Sequence, residues 1–99
     1  LKKLNDMELV GFKKNKPLYE PYASTSSKKK GMVYVLKDGK KRLIHFGDAG
    51  MEDFTQHHDE VRRKSYLARA KGIKNKSGKY TWLDKNSANY YSVKYLWEG

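Results

Sequence analysis

The sequence predicts a small α+β domain: a β-hairpin or small sheet packed by two helices, preceded by an extended N-terminal arm. Three observations carry that expectation. Two β-prone runs, 32–36 and 41–46, flank Asp38-Gly39, a pair suited to a two-residue hairpin turn because both of its positions need positive φ. The run 59–71 opens with Asp59-Glu60 and continues with arginines and lysines, the order that a helix dipole favours. The first thirty residues contain two prolines, a Ser-Thr-Ser-Ser stretch and a triple lysine, without a sustained apolar stripe.

Taken in order, Leu1, Leu4 and Met7 recur at i, i+3 and i+6, which predicts a short amphipathic helix ended by Gly11. Pro17, Pro21 and the segment from Ala23 through Lys28-Lys29-Lys30 then read as a flexible arm. The expected division is an arm over 1–30 and a basic α+β domain over 31–99. Leu18, Tyr19 and Tyr22 are expected to anchor the arm on a neighbouring surface. In the hairpin, Met32, Tyr34 and Leu36 share one face, with Val33 and Val35 on the other. Two strands alone are marginal, so another element must cover a face. Gly47-Asp48-Ala49-Gly50 breaks the second strand, and 51–58 reads as a polar connection. The helix over 59–71 has a weak apolar stripe, with Val61, Ser65 and Ala68 on one side and Tyr66 and Leu67 elsewhere, and Gly72 stops it. A Lys- and Asn-rich loop follows. Asn86 or Ser87 caps a last helix over 88–97. Tyr91, Val93, Tyr95 and Trp97 also alternate as a strand would; the cap and the hairpin's need for a lid favour the helix.

Length and composition bound the function. At 99 residues there is room for one core. Apolar residues make up 37% and aromatics 13%, so the core must lean on large rings. No apolar run approaches the roughly 18 residues of a membrane span, and no signal-peptide pattern opens the chain. The first residue is Leu1 rather than Met, as expected of a trimmed or processed product. The absence of cysteine excludes disulfides, a thiol nucleophile and any thiolate metal site. Lys and Arg number 22 against 11 Asp and Glu, a net charge of +11, which points to polyanionic partners.

Arg62, Arg63, Lys64, Arg69 and Lys71 are the candidate nucleic-acid-binding residues. Arg62 and Arg69 lie seven apart, two helical turns, and so share a face. Lys74, Lys76 and Lys79 extend the patch with no intervening acid. Tyr91, Tyr95 and Trp97, with Leu18, Tyr19 and Tyr22, are the candidate protein-interface residues, because aromatics dominate cores and interfaces alike. His45, His57 and His58 with Asp48 and Asp59 form the one acid–base cluster. Adjacent histidines diverge on a regular backbone and make a poor metal pair, so no metal, cofactor or catalytic residue is assigned. Asp59 is expected to be an N-cap, and His57 and His58 loop and helix-entry residues. Gly47-Asp48-Ala49-Gly50 lacks the Lys-Ser/Thr of a phosphate loop and reads as a strand-ending turn.

The succession Ile44-His45-Phe46-Gly47-Asp48, Asp53-Phe54-Thr55, the helix from Asp59 to Arg69, and Tyr90-Tyr91-Ser92-Val93-Lys94-Tyr95-Leu96-Trp97 resembles a largely uncharacterised family of small basic proteins of tailed bacteriophages and large DNA viruses. Its members share a strand ending in Phe-Gly, an Asp-x-x-Arg-Arg/Lys-x-Tyr-x-x-Arg helix and a closing Leu-Trp. Some are encoded among capsid and scaffold genes. The resemblance covers about residues 31–97, and Ala70 stands where relatives carry His. It implies a non-enzymatic structural component of a virion, capsid- or connector-associated, present in host cytoplasm during assembly. Its partners would be other virion proteins and, through the basic helix, packaged double-stranded DNA bound without regard to sequence. The alternative is a small nucleic-acid-binding protein, or a His-dependent nuclease, acting outside the particle.

Overall fold

A computed structural model covers all 99 residues and shows a three-stranded antiparallel sheet with helices on both faces. The predicted hairpin is its centre. Strand β2 (Lys29–Lys37) pairs with β3 (Lys40–Asp48) from Lys29↔Asp48 to Lys37↔Lys40. Asp38 and Gly39 have φ of 54° and 77°, the two left-handed positions that the Asp-Gly pair predicts.

The N-terminal segment differs from the expectation. Helix α1 (Asp6–Asn15) runs through Gly11 and ends at Lys16, in the left-handed region just before Pro17. Glycine inside a helix costs only about 1 kcal/mol, whereas a proline excludes helical backbone at the residue before it. The Asn5 side chain caps α1 by accepting from the Glu8 N–H at 2.8 Å. Strand β1 (Tyr22–Ala23) pairs with β2 through Tyr22↔Met32 and Ala23↔Gly31, and Leu18 bridges to Tyr34. The expected arm is therefore the third strand and one cover of the sheet, and the expected boundary at 30/31 falls inside β2. Its rings find their surface within the chain. Phe12 is buried between Tyr22 and Tyr34, with ring centroids 4.9 and 5.2 Å away.

The other face holds the main core. Val33, Val35 and Phe46 pack with Tyr91, Leu96 and Trp97. Gly31 faces Phe46 across the pair, and a β-carbon there would stand 2.2 Å from the ring. The missing side chain is what lets the ring lie flat on the strand. Helix α2 (Phe54–His57) forms within the expected polar connection. Helix α3 (Glu60–Ala70) follows the expected cap Asp59. Its inward residues are Tyr66, Leu67 and Ala70, whereas Val61, Ser65 and Ala68 face solvent. Tyr66 stacks on Trp97 at 4.1 Å with the planes 8° apart, which fastens this polar helix to the core. A 3₁₀ turn (Thr81–Leu83) leads to α4 (Ala88–Tyr91), capped by Ser87, and the helix continues as a wider π-turn over Ser92–Leu96. The segment is helical, as its cap predicts, but ends at Leu96, one residue short of the expected range. No helix is long and apolar enough to cross a membrane.

Candidate nucleic-acid interface

Asp53 organises the approach to α3. It is 3% exposed. Its Oδ1 accepts from the Thr55 N–H at 2.9 Å and from the Thr55 hydroxyl, and Oδ2 meets Lys30 Nζ at 2.6 Å. Gln56 Oε1 accepts from the Asp53 N–H at 3.0 Å and from Lys30 Nζ at 2.6 Å, completing a capping box. Burial pushes the Asp53 carboxyl up, but the bonds and charge from Lys30 and Thr55 outweigh it and hold the group below the ordinary carboxylate range. The pattern Asp53-x-x-Gln56 is a readable capping signal that the sequence reading passed over.

Three residues past Gln56, Asp59 Oδ1 accepts from the Val61 and Arg62 N–H groups at 3.0 and 3.2 Å and starts α3. The five basic residues expected to bind nucleic acid then separate into different environments. Arg63 is occupied with the fold. Its Nε donates to Trp97 O at 3.0 Å, Nη2 to Glu98 O at 2.9 Å and Nη1 to Glu60 at 2.7 Å, and its guanidinium lies over Phe54. It ties the start of α3 to the end of the last helix, so it leaves the binding set. Lys71 Nζ rests 4.7 Å from the centre of the Trp82 ring. The side chains of Arg62, Lys64 and Arg69 are exposed and make no hydrogen bond or ion pair within the chain.

Beyond α3 the lysine-rich loop is folded. Lys74 bridges to Tyr80, the Asn75 N–H donates to Lys79 O at 2.9 Å, and the Asn75 side chain accepts from the Ser77 and Lys79 N–H groups. Gly78, with φ of 78°, turns the tip. Lys74 Nζ lies 5.0 Å from the centre of the Tyr80 ring. Asn89 anchors the region by donating to Ala70 O at 2.8 Å and Thr81 Oγ1 at 2.9 Å. Lys76 and Lys79 project from this ordered tip, exposed and unpaired.

Next to the cationic surface, α3 forms one wall of a cleft of about 510 Å³. Arg62, Ser65 and Arg69 line it from α3, and Asp48, Met51 and Glu52 from the end of β3 and the loop that follows. Tyr66, Ser92, Leu96 and Trp97 also line it. The spacing of Arg62 and Arg69 was legible; Asp48, Glu52 and Lys30 reach the cleft through the hairpin's tertiary placement, which no local pattern announces.

The aromatic residues also divide. Tyr91 and Trp97, expected at an interface, are 1% and 8% exposed and belong to the chain's own core. So few aliphatic side chains are available that the rings must fill the interior. The Tyr91 hydroxyl donates to Lys85 O at 2.7 Å, and burial pushes its phenol far above the usual range. Burial likewise raises the Tyr66 phenol. Leu18 is half-buried against β2, and Tyr22 packs on Phe12. Tyr19 and Tyr95 keep open surface, at 39% and 43% exposed.

The histidines do not converge. His57 Nδ1 accepts from the Asp59 N–H at 2.9 Å, and its Nε2 is buried without a partner beside the Trp97 ring, 5.2 Å between centroids. His58 closes α2 in the left-handed region. His45 Nδ1 lies 2.6 Å from Ser24 Oγ. That pair brings together a hydroxyl and a base, but no carboxylate bonds to the other ring nitrogen, so the orienting third group of a triad is not in place. No three His, Asp or Glu side chains are grouped to hold a metal ion.

No curated protein and no solved structure matches the chain. Residues 20–70 do match a family, and that span runs from the start of the sheet through the sheet, the Asp53 network and the whole of α3. The match covers just over half of the sequence, and the protein belongs to that family of unknown function, DUF5754.

Proposed function

We propose that the protein is a non-enzymatic structural component of a virion that binds nucleic acid without regard to sequence, through the outer surface of α3 and the lysine turn that follows it. The observation that supports the nucleic-acid part of this reading is a long run of cations without an intervening acid. From Val61 to Leu83 the chain has Arg62, Arg63, Lys64, Arg69, Lys71, Lys74, Lys76 and Lys79, with no acid before Asp84. Of these, Arg63 alone is neutralised, by Glu60. The turn is held by backbone and Asn75 hydrogen bonds, so Lys76 and Lys79 are presented at fixed positions beside α3 rather than on a loose tail. Rows of lysine and arginine on such a surface contact phosphates and fix position along a strand. The likeness of the sequence to small basic phage and viral proteins supports the virion setting, where DNA of any sequence must be accommodated.

Counterion release makes the test direct. Binding of random-sequence DNA, measured by fluorescence anisotropy, is expected to weaken steeply with salt. Lys76→Ala/Lys79→Ala should flatten the dependence of log affinity on log salt by up to ~2 units, at roughly 0.9 per phosphate contact. A double variant with unchanged affinity and slope would remove the lysine turn from the interface. The virion setting is tested separately, by stoichiometric recovery of the chain from purified particles.

A further inference from the structure

The cleft beside α3 differs in character from the cationic surface, although both use Arg62 and Arg69. Its lining carries both charges. Arg62 and Arg69 reach it from α3, and Asp48 and Glu52 from the end of β3 and the loop after it, yet no ion pair joins the two sets. Lys30, also in the lining, is already satisfied by Asp53 and Gln56. Asp48 spends one oxygen on the Gly50 N–H at 2.9 Å, and Glu52 has no partner at all. A ligand that fills this space must offer an anion to the arginines and hydrogen-bond donors to the carboxylates. Its body must also be apolar on its flanks. Met51 and Val61, 66% and 78% exposed, and the stacked Tyr66 and Trp97 rings supply the apolar part of the lining.

We infer that the cleft takes a nucleotide of a single strand, with its phosphates along Arg62 and Arg69 and its base turned inward toward Asp48 and Glu52. This inference rests on the nucleic-acid reading above and names the form of nucleic acid that the cleft selects. Arg62 and Arg69 are about 10 Å apart along the helix axis at 1.5 Å per residue. That is too far to grip one phosphate and lets the two side chains reach separate phosphates of one strand. The carboxylates are acceptors only, as readout of an exocyclic base amine requires. A paired base has that amine engaged and cannot turn into the cleft, so duplex DNA is left to the outer cationic surface. The volume falls in the range of roughly 300–1,000 Å³ typical of small-ligand sites. An acidic peptide would meet Asp48 and Glu52 with like charge.

The test blocks the cleft without changing any charge. Ser65 lines it from an exposed position on α3, so Ser65→Trp fills the space while leaving both arginines and both carboxylates in place. Binding of a 12-nucleotide oligodeoxycytidylate and of a 12-base-pair duplex is measured at one ionic strength, with thermal melts to verify folding. Ser65→Trp is expected to weaken the single strand about tenfold and leave the duplex unchanged, the scale of one good base contact. Lys76→Ala/Lys79→Ala is expected to weaken both. The wild type should also prefer oligodeoxycytidylate to oligodeoxythymidylate, which lacks an exocyclic amine, and Asp48→Asn/Glu52→Gln should erase that preference. This second pair of measurements decides the matter if Ser65→Trp does not fold. Equal effects of Ser65→Trp on single strand and duplex, or none on either, would overturn the cleft assignment while the lysine-turn result leaves the broader function standing. Displacement of the single strand by oligoglutamate from wild type but not from Ser65→Trp would make this an acidic-peptide site and overturn it too. Failure of the wild type to bind either nucleic acid would overturn both readings.

Discussion

Asp53 shows how one residue decides the local structure around the cleft. Its carboxylate caps α2 with one oxygen and pairs with Lys30 through the other, so it joins the helical layer to strand β2. Burial alone would raise its pKa; Lys30 and Thr55 lower it overall. A carboxyl lowered in the folded state adds stability above its unfolded value, near 3.9. That contribution is lost as the pH falls through the lower folded value. Asp53→Asn is therefore expected to be less stable than wild type at pH 7 and to lose less on acidification below about pH 4. Lys30→Met leaves a buried carboxylate without its cation, and should cost about 3 kcal/mol at pH 7. It should also lose less stability than wild type on acidification, because burial is no longer outweighed and the carboxyl is not held low in the folded state. Urea unfolding across a pH series checks both; identical pH profiles for all three proteins would show that the pair does not couple to folding.

Among the elements, those written in local chemistry were legible. Asp38-Gly39 specified the hairpin turn, and Asp59 with its following charges specified α3, because each signal acts within a few residues. In sequence the N-terminal segment looks like an arm because its stabilising partners are distant. Tyr22 needs Met32 opposite it, Phe12 needs Tyr34, and neither partner can be inferred from a window around Pro17 and Pro21. The site followed the same division. The shared face of Arg62 and Arg69 was visible as a spacing, whereas the loss of Arg63 to the Trp97 and Glu98 carbonyls required the last helix to be in place. A direct consequence concerns proteolysis. The Ser24 N–H donates to Lys30 O at 3.0 Å and the Ala23 N–H to Lys2 O at 2.7 Å, so the basic stretch Lys28-Lys29-Lys30 belongs to an ordered β-turn-β structure. Brief trypsin treatment of the folded protein should leave the 28–30 bonds intact, with cleavage at 76 and 79 in the exposed turn coming first. Mass spectrometry of the fragments checks this, and early cleavage at 28–30 would return the segment to the status of an arm.

At the scale of the whole molecule, charge and size oppose one another. A surplus of +11 on 99 residues repels itself, and 13 buried residues supply a small core to resist it. Three ion pairs offset little of that repulsion, and one of them, Lys2 with Glu8, is largely solvent-exposed. Added salt shortens the screening distance from ~30 Å at 0.01 M to ~8 Å at 0.15 M, so it should relieve the repulsion without touching the core. The melting temperature is expected to rise by several degrees over that range, as follows from about 1 kcal/mol in a domain of this size. A bound polyanion should raise it further at low salt and progressively less as salt increases. Differential scanning fluorimetry with and without DNA measures both, and a salt-independent melting temperature would mean that the cations are spaced too widely to repel.

The hairpin's main face is closed by Tyr91, Leu96 and Trp97, contributed by a segment that follows it only after α2, α3 and the lysine turn. On the ribosome, the strands therefore emerge well before the rings that cover them. During that interval Val33, Val35 and Phe46 are bare, and the outer edge of β3 is free to pair with another chain. The lysines and arginine at its turn end, Lys40, Lys41 and Arg42, keep nascent copies apart by repulsion during those seconds. The positive charge thus also guards the protein's synthesis, and a message truncated before Tyr91 is expected to yield a product that depends on chaperones rather than a smaller working domain.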